Sequence, residues 1–178
     1  MKTIQELNSL NGRRILLTGA TGNIGFHIAA TIAELEGDLI LSDLPGSDYS
    51  HLIKLIKDIS DVNIETFDCQ LEDHQSRENL VSYVNNNKKP LNVIINNAAF
   101  VGTTNLKGWA TDFESQTVST WKRAMEVNLT AVFDLSKGLS KKLKDSHGAS
   151  IINMASIYGT KAPDYSLYEE TDMANPAA

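Results

Sequence analysis

A short apolar run that breaks into evenly spaced glycines constrains this chain more than any other feature. Arg14-Ile15-Leu16-Leu17-Thr18 has the character of a buried strand, and Gly19, Gly22 and Gly25 follow it before a helical pattern begins. A strand that turns through glycines into a helix uses the first for a tight backbone, the second for close approach of a ligand, and the third for helix packing. The new helix then points its N-terminal amides at the turn, where negative charge is favoured. The arrangement is suited to the diphosphate of a dinucleotide.

Apolar runs and helical patterns alternate along the rest of the chain. Residues 14–18, 39–42, 62–67, 91–95 and 150–154 read as strands, several of them apolar on both faces. Residues 22–36, 50–59, 73–87 and 117–146 read as helices, with Ile24, Ile28, Ile32 and Leu35 as the apolar positions of the first and Gly37 as its stop. Strands separated by helices call for a parallel sheet covered on each side, an α/β doubly wound architecture. Ligands of such sheets sit beyond the carboxyl ends of the strands, where the irregular segments 100–116 and 158–178 would emerge. No internal repeat or linker divides the sequence, so residues 1–178 are expected to form a single domain.

Composition narrows the partners. The 178 residues are 42% hydrophobic and carry a formal charge of −6, which suits one substantial core and opposes a nucleic-acid or anionic membrane surface. No stretch approaches the ~20 apolar residues that cross a bilayer, and a cytoplasmic location is expected. Cys69 is the only cysteine, so no internal disulfide can form. His27, His51, His74 and His147 lie in separate segments, and no metal site is expected. Trp109 and Trp121 read as packing residues. Lys137, Lys141, Lys142 and Lys144 suit the negative end of the long helix dipole.

Asp43 closes the second strand, near the ~20-residue spacing at which an acid in this arrangement meets the adenosine ribose. Its carboxylate would accept hydrogen bonds from the ribose hydroxyls and repel a 2′-phosphate, which favours NAD over NADP. The plainer reading is a turn residue before Pro45-Gly46.

Taken with Asp68-Cys69 after the third strand, Asn96-Asn97-Ala98-Ala99 after the fourth, Asn128 in the long helix and Ser156 after the fifth, the glycine segment resembles the short-chain dehydrogenase/reductase family. The resemblance implies a Rossmann fold whose cofactor loop comprises Thr18, Gly19, Thr21, Gly22, Asn23, Ile24 and Gly25. It also implies that Asp68 and the backbone of Cys69 hold the adenine, and that Asn97 and Ala98 lie along the cofactor. Ser156 would hydrogen-bond the substrate oxygen, and Asn128 would order the proton-relay path. A small-molecule substrate and a homo-oligomer are further implications.

The sequence also departs from the family. No Tyr-x-x-x-Lys occurs in it: Tyr158 precedes Lys161 at a spacing of three, while Tyr165 and Tyr168 precede Glu169 and Asp172 at four. The resemblance expects the tyrosine just after Ala178, with the C-terminal strands of the sheet beyond it, so the chain as it stands is expected to be inactive. The Gly-x-x-Gly-x-x-Gly spacing is typical of the extended, nucleotide-sugar-modifying branch, whereas the Asn96 and Ser156 segments look like the short oxidoreductase branch. The leading expectation is an NAD-dependent alcohol/ketone oxidoreductase, with the acidic, tyrosine-bearing segment 160–178 admitting a carbohydrate-like substrate. The alternatives are a nucleotide-sugar epimerase or dehydratase, and a non-catalytic dinucleotide-binding protein.

Overall fold

The computed structural model describes residues 3–100, 106–161, 164 and 166. Five strands, β1 (Arg14–Thr18), β2 (Asp38–Asp43), β3 (Ile64–Asp68), β4 (Val93–Asn96) and β5 (Ser150–Asn153), make one sheet in the order β3-β2-β1-β4-β5. Every neighbouring pair is parallel, so the expected doubly wound sheet is what forms. The chain leaves β1 on one side and returns on the other, so the strand order reverses between β1 and β4. At such a reversal a crevice opens above the carboxyl ends.

Alternation along the central strands builds two apolar layers. Ile15, Leu17, Leu39, Leu41 and Ile95 face α2 (Asn23–Glu34) and α3 (Ser50–Ile59), meeting Ala29, Ile32, Ala33, Leu52 and Ile56. Leu16, Ile40 and Ile94 point the other way, towards Leu80 and Val84 of α4 (His74–Asn86) and Leu135, Leu139 and Leu143 of α6 (Ala131–Lys144). Each fully buried Leu or Ile contributes roughly 1.5–3 kcal/mol, so these layers dominate stability. Helix α2 turns Gly25, Ala29 and Ala33 inward, and this small-residue face lets it lie close to β1. Ile24, read from the sequence as part of the apolar stripe, instead stands 60% exposed on the ligand side of the helix.

Three local features differ from the sequence reading. Helix α2 ends one residue earlier than Gly37 suggests: Glu36 takes the left-handed conformation (φ 66°), with Glu36 N–H donating to Ala33 O and Gly37 N–H to Ile32 O. Gly37 is kept for space, because a Cβ there would lie 2.8 Å from Ile32 Cγ2 and 2.9 Å from Ile15 Cδ1. The long helix is interrupted. α5 (Val118–Met125) passes through a π turn at Glu126–Thr130, where Ala131 N–H reaches Glu126 O, before α6 resumes. A short α1 (Ile4–Asn8) precedes the sheet, closed by reciprocal bonds between Thr3 and Glu6.

Strand β5 is the outer strand on its side of the sheet among the described residues, and its Ile151 and Ile152 are 44% and 43% exposed. Tyr165, Tyr168 and the acidic residues Glu169, Glu170 and Asp172 lie outside the described residues. No described helix is long and apolar enough to cross a membrane.

Candidate functional site

The ends of β1 and β4 are laced together before any ligand is considered. Thr18, 2% exposed, accepts the amides of Asn97 and Ala98 on one hydroxyl oxygen, both at 3.1 Å. Asn97 returns the contact, its Nδ2 donating to Thr18 O at 3.0 Å and Gly19 O at 3.1 Å. Asn97 therefore braces two strand ends, as an amide side chain with donors to spare can do. One strand further out, Asn96 Nδ2 donates to Asn153 Oδ1 at 2.8 Å and ties β4 to β5.

Above this floor the three glycines meet different surroundings. Gly19 has φ +65°, and a Cβ on it would stand 2.8 Å from Ala98 Cα. A Cβ on Gly25 would stand 2.0 Å from Gly19 O, so the helix can approach the strand only with glycine there. Gly22 is unlike either, since a Cβ would find only Gly19 O at 3.5 Å, an ordinary contact. The protein itself does not demand glycine at 22. Gly22 is the N-cap of α2, and no side chain caps that helix. What the missing side chain leaves bare is the main chain at the mouth of a cleft, with the amides of the first helical turn facing outward.

The cleft has a volume of ≈ 570 Å³, within the range of small-molecule sites. Of the positions named from sequence, Thr18, Gly19, Thr21, Gly22, Asn23, Ile24, Gly25, Asp43, Cys69, Asn97 and Ala98 all line it. The structure thus gathers them around one space. At its rim Asp43 is held from both sides: Oδ2 accepts Thr21 N–H and Thr21 Oγ1, each at 2.8 Å, and Oδ1 accepts Leu44 N–H at 2.8 Å. Cys69 is buried and donates its amide to Asp43 O at 2.7 Å, and burial pushes its thiol above the ordinary range. It lies in the wall as a packing residue.

Asp68, Asn128 and Ser156 are not among the lining residues. The Asp68 carboxylate turns instead to the β2–α3 loop, accepting Tyr49 OH at 3.2 Å and Gly46 N–H at 3.3 Å. Burial, and then the Asp68 charge, push the Tyr49 phenol well above its ordinary value, so it remains a donor to that carboxylate. Asn128 sits in the π turn and accepts Phe100 N–H at 2.7 Å, fixing the loop that leaves β4. Ser156 caps a single 3₁₀ turn (Ile157–Gly159), accepting Tyr158 N–H at 3.1 Å.

The far wall of the cleft carries no sequence motif. Arg123 of α5 binds Glu72 through two bonds of 2.6 and 3.2 Å, and its guanidinium lies 5.1 Å from the Phe100 ring centre. Phe100 meets Trp109 edge-on at 4.9 Å. These residues are far apart in sequence, and only the fold assembles them. Among the described residues no group of His, Cys, Asp and Glu forms a metal site.

A short-chain dehydrogenase family model matches residues 13–170. The chain belongs to the short-chain dehydrogenase family. It is 28% identical over 151 residues to 3-oxoacyl-(acyl-carrier-protein) reductase FabG of Rickettsia conorii, covering 84% of this chain and 56% of that protein. It is 23% identical over 156 residues to galactitol 2-dehydrogenase of Rhizobium johnstonii, covering 88% and 58%. The chain thus spans little more than half the length of these curated relatives. Two solved structures share the fold: NAD+-bound xylitol dehydrogenase (TM-score 0.74, 23% identity, 86% of this chain and 56% of that one) and NADPH-dependent 3-quinuclidinone reductase from Rhodotorula rubra (TM-score 0.77, 22%, 92% and 60%). The shared fold agrees with the parallel sheet and its flanking helices.

Proposed function

We propose that this short-chain dehydrogenase takes NAD in the cleft and interconverts a secondary alcohol and a ketone on a small, carbohydrate-like molecule. The observation that carries the reading is Gly22, bare where the protein leaves room for a side chain, with the Asp43 carboxylate at the same rim. The uncapped amides of α2 would face the diphosphate. Asp43 would accept the ribose hydroxyls, the Cys69 backbone would border the adenine with Asp68 behind the neighbouring loop, and Asn97 and Ala98 would run along the dinucleotide. Bound there, the nicotinamide would supply the hydride chemistry. Ser156 would hold the reacting oxygen of the substrate, and Asn128 would order the path by which its proton leaves.

The relatives named for galactitol and xylitol support a polyol or sugar substrate, and Asp43 supports NAD over NADP, although relatives of both cofactor types share the fold. The full-length protein is proposed to be a cytoplasmic homo-oligomer. Exposed Val118, Trp121, Leu129 and Phe133 along α5, the π turn and α6 offer an apolar surface for that association. Titration of the full-length protein with NAD and NADP in a calorimeter, followed by a polyol panel monitored through NADH absorbance, tests the reading. NAD binding with NADH formation is the expected result; no affinity for either nucleotide overturns it.

The glycine spacing favours one second reading, a nucleotide-sugar epimerase or dehydratase. That reading predicts product without net NADH, so accumulation of NADH with an alcohol excludes it.

A further inference from the structure

We propose that Arg77 is a positioning residue of the site: its buried guanidinium brackets the π turn of the long helix and so sets where Asn128 stands relative to the loop that leaves β4. The proposal rests on the reading of Asn128 as part of the proton path and goes beyond it, since Arg77 is not among the residues that line the cleft. Arg77 projects from α4 and is 3% exposed. Its Nε donates to Asp134 Oδ2 of α6 at 2.9 Å and its Nη1 to Leu71 O at 2.7 Å, while Nη1 also stands 3.2 Å from Glu126 Oε2. A guanidinium is a rigid planar fork, so the groups it holds are fixed in angle as well as distance.

Glu126 opens the π turn and Asp134 lies beyond it, eight residues on (134 minus 126). In an unbroken α-helix positions eight apart stand about 80° apart around the axis, whereas positions seven apart nearly align. One extra residue absorbed between them brings Glu126 and Asp134 to the same face. The grip of Arg77 on both acids therefore favours the π form over a straight helix. Asn128 occupies the middle of that turn, its Oδ1 accepting Phe100 N–H at 2.7 Å, and Val127 beside it lines the cleft, as does Leu71. Rephasing the turn by one residue would swing Asn128 by about 100° and break its bond to Phe100. Arg123 and Glu72 join the loop after β3 to the same helix on the exposed side, and Arg77 joins them from within, where burial strengthens its bonds.

Amide hydrogen exchange, resolved by residue with NMR, tests the bracket in three variants. Glu126→Ala removes one partly exposed partner, Glu126→Gln keeps an acceptor of the same length, and Arg77→Met removes the fork. The amides of Phe100 and Ala131, bonded to Asn128 Oδ1 and Glu126 O, are expected to exchange about tenfold faster in Glu126→Ala and Arg77→Met. In Glu126→Ala the amides of Leu16 and Ile40, deep in the sheet, are expected to stay within about threefold, and Glu126→Gln to match the parent throughout. Glu126→Ala decides the question alone if Arg77→Met does not fold. Unchanged exchange at Phe100 in Glu126→Ala overturns the proposal, as does a rise no larger than that at Leu16, which would make Arg77 a general brace of the fold. In the full-length protein, oxidation of galactitol and xylitol followed by NADH absorbance is expected to slow about tenfold in Glu126→Ala and to recover in Glu126→Gln, with NAD affinity within about twofold. Faster exchange at Phe100 with turnover intact overturns the link from Arg77 to the proton path. A parent protein that oxidises neither polyol overturns the polyol reading, a result distinct from the exchange comparison, which needs no substrate.

Discussion

Gly22 and Gly25 look interchangeable on paper, and their surroundings make opposite demands. Gly25→Ala would drive a methyl to 2.0 Å from Gly19 O, so the turn must open, and a loss of roughly 1–3 kcal/mol is expected. Gly22→Ala meets nothing closer than 3.5 Å, so its stability is expected to stay within about 0.5 kcal/mol of the parent. Dinucleotide affinity should nevertheless fall about tenfold or more, because the methyl occupies the ligand's approach. Thermal melts and titrations of the two variants check both halves, and equal melting losses would remove the argument that position 22 is kept for a ligand. The tight turn at Gly19 and the close packing at Gly25 were legible because spacing alone fixes where a strand-to-helix turn bends. The direction of Asp68 was not, because it is decided by Tyr49 and Gly46, partners that reach it only through the fold. The pairing of Arg123 with Glu72 was hidden for the same reason.

Element boundaries show which local rules the sequence expresses and which it conceals. The end of α2 was visible as a glycine, yet the left-handed residue is Glu36, one position earlier. A side chain in that conformation costs about 1–2 kcal/mol. Glu36→Gly is therefore expected to stabilise the fold by about 1 kcal/mol, less the exposed Ser9–Glu36 bond of 2.9 Å that it forfeits. Urea unfolding of the two proteins measures the difference, and a destabilised variant would mean that the Ser9 contact outweighs the backbone strain. The Thr3–Glu6 capping box that starts α1 was present in the letters, but five residues carry too little periodicity to announce a helix. The π turn left no mark at all, since an extra residue in one turn preserves helical composition on either side. Its effect is spatial: the wider turn holds Asn128, whose side chain reaches Phe100 at the end of the β4 loop.

Across the whole molecule, one polar network anchors the edge of the sheet opposite the cleft. Arg14, 2% exposed on β1, reaches past β2 to Glu65 on β3 with bonds of 3.1 and 2.8 Å, and Tyr83 OH donates to the same carboxylate at 2.7 Å. Burial raises the Glu65 carboxyl, but its bonds from Tyr83 and Arg14 outweigh that and hold it below its ordinary value. A carboxyl held down by folding contributes stability that is fully present above its unfolded value, near 4.5, and lost as pH falls through its lower folded value. Glu65→Gln is expected to cost about 3 kcal/mol at neutral pH by stranding the Arg14 charge, and to flatten the acid limb of the stability curve. Denaturant unfolding between pH 3 and pH 7, ~four units about that transition, reads both effects; an unchanged acid limb would assign acid sensitivity elsewhere. The two apolar layers were legible because five runs of alternating or continuous apolar residues can be buried in few ways. The exposure of Ile151 and Ile152 follows from β5 lying outermost on its side of the sheet among the described residues. At the opposite end of β1, the reciprocal contacts of Thr18 and Asn97 make the loops after β1 and β4 travel as one body. An arriving molecule therefore meets a finished floor, and the entropy of arranging that floor was spent during folding, leaving the encounter free of it.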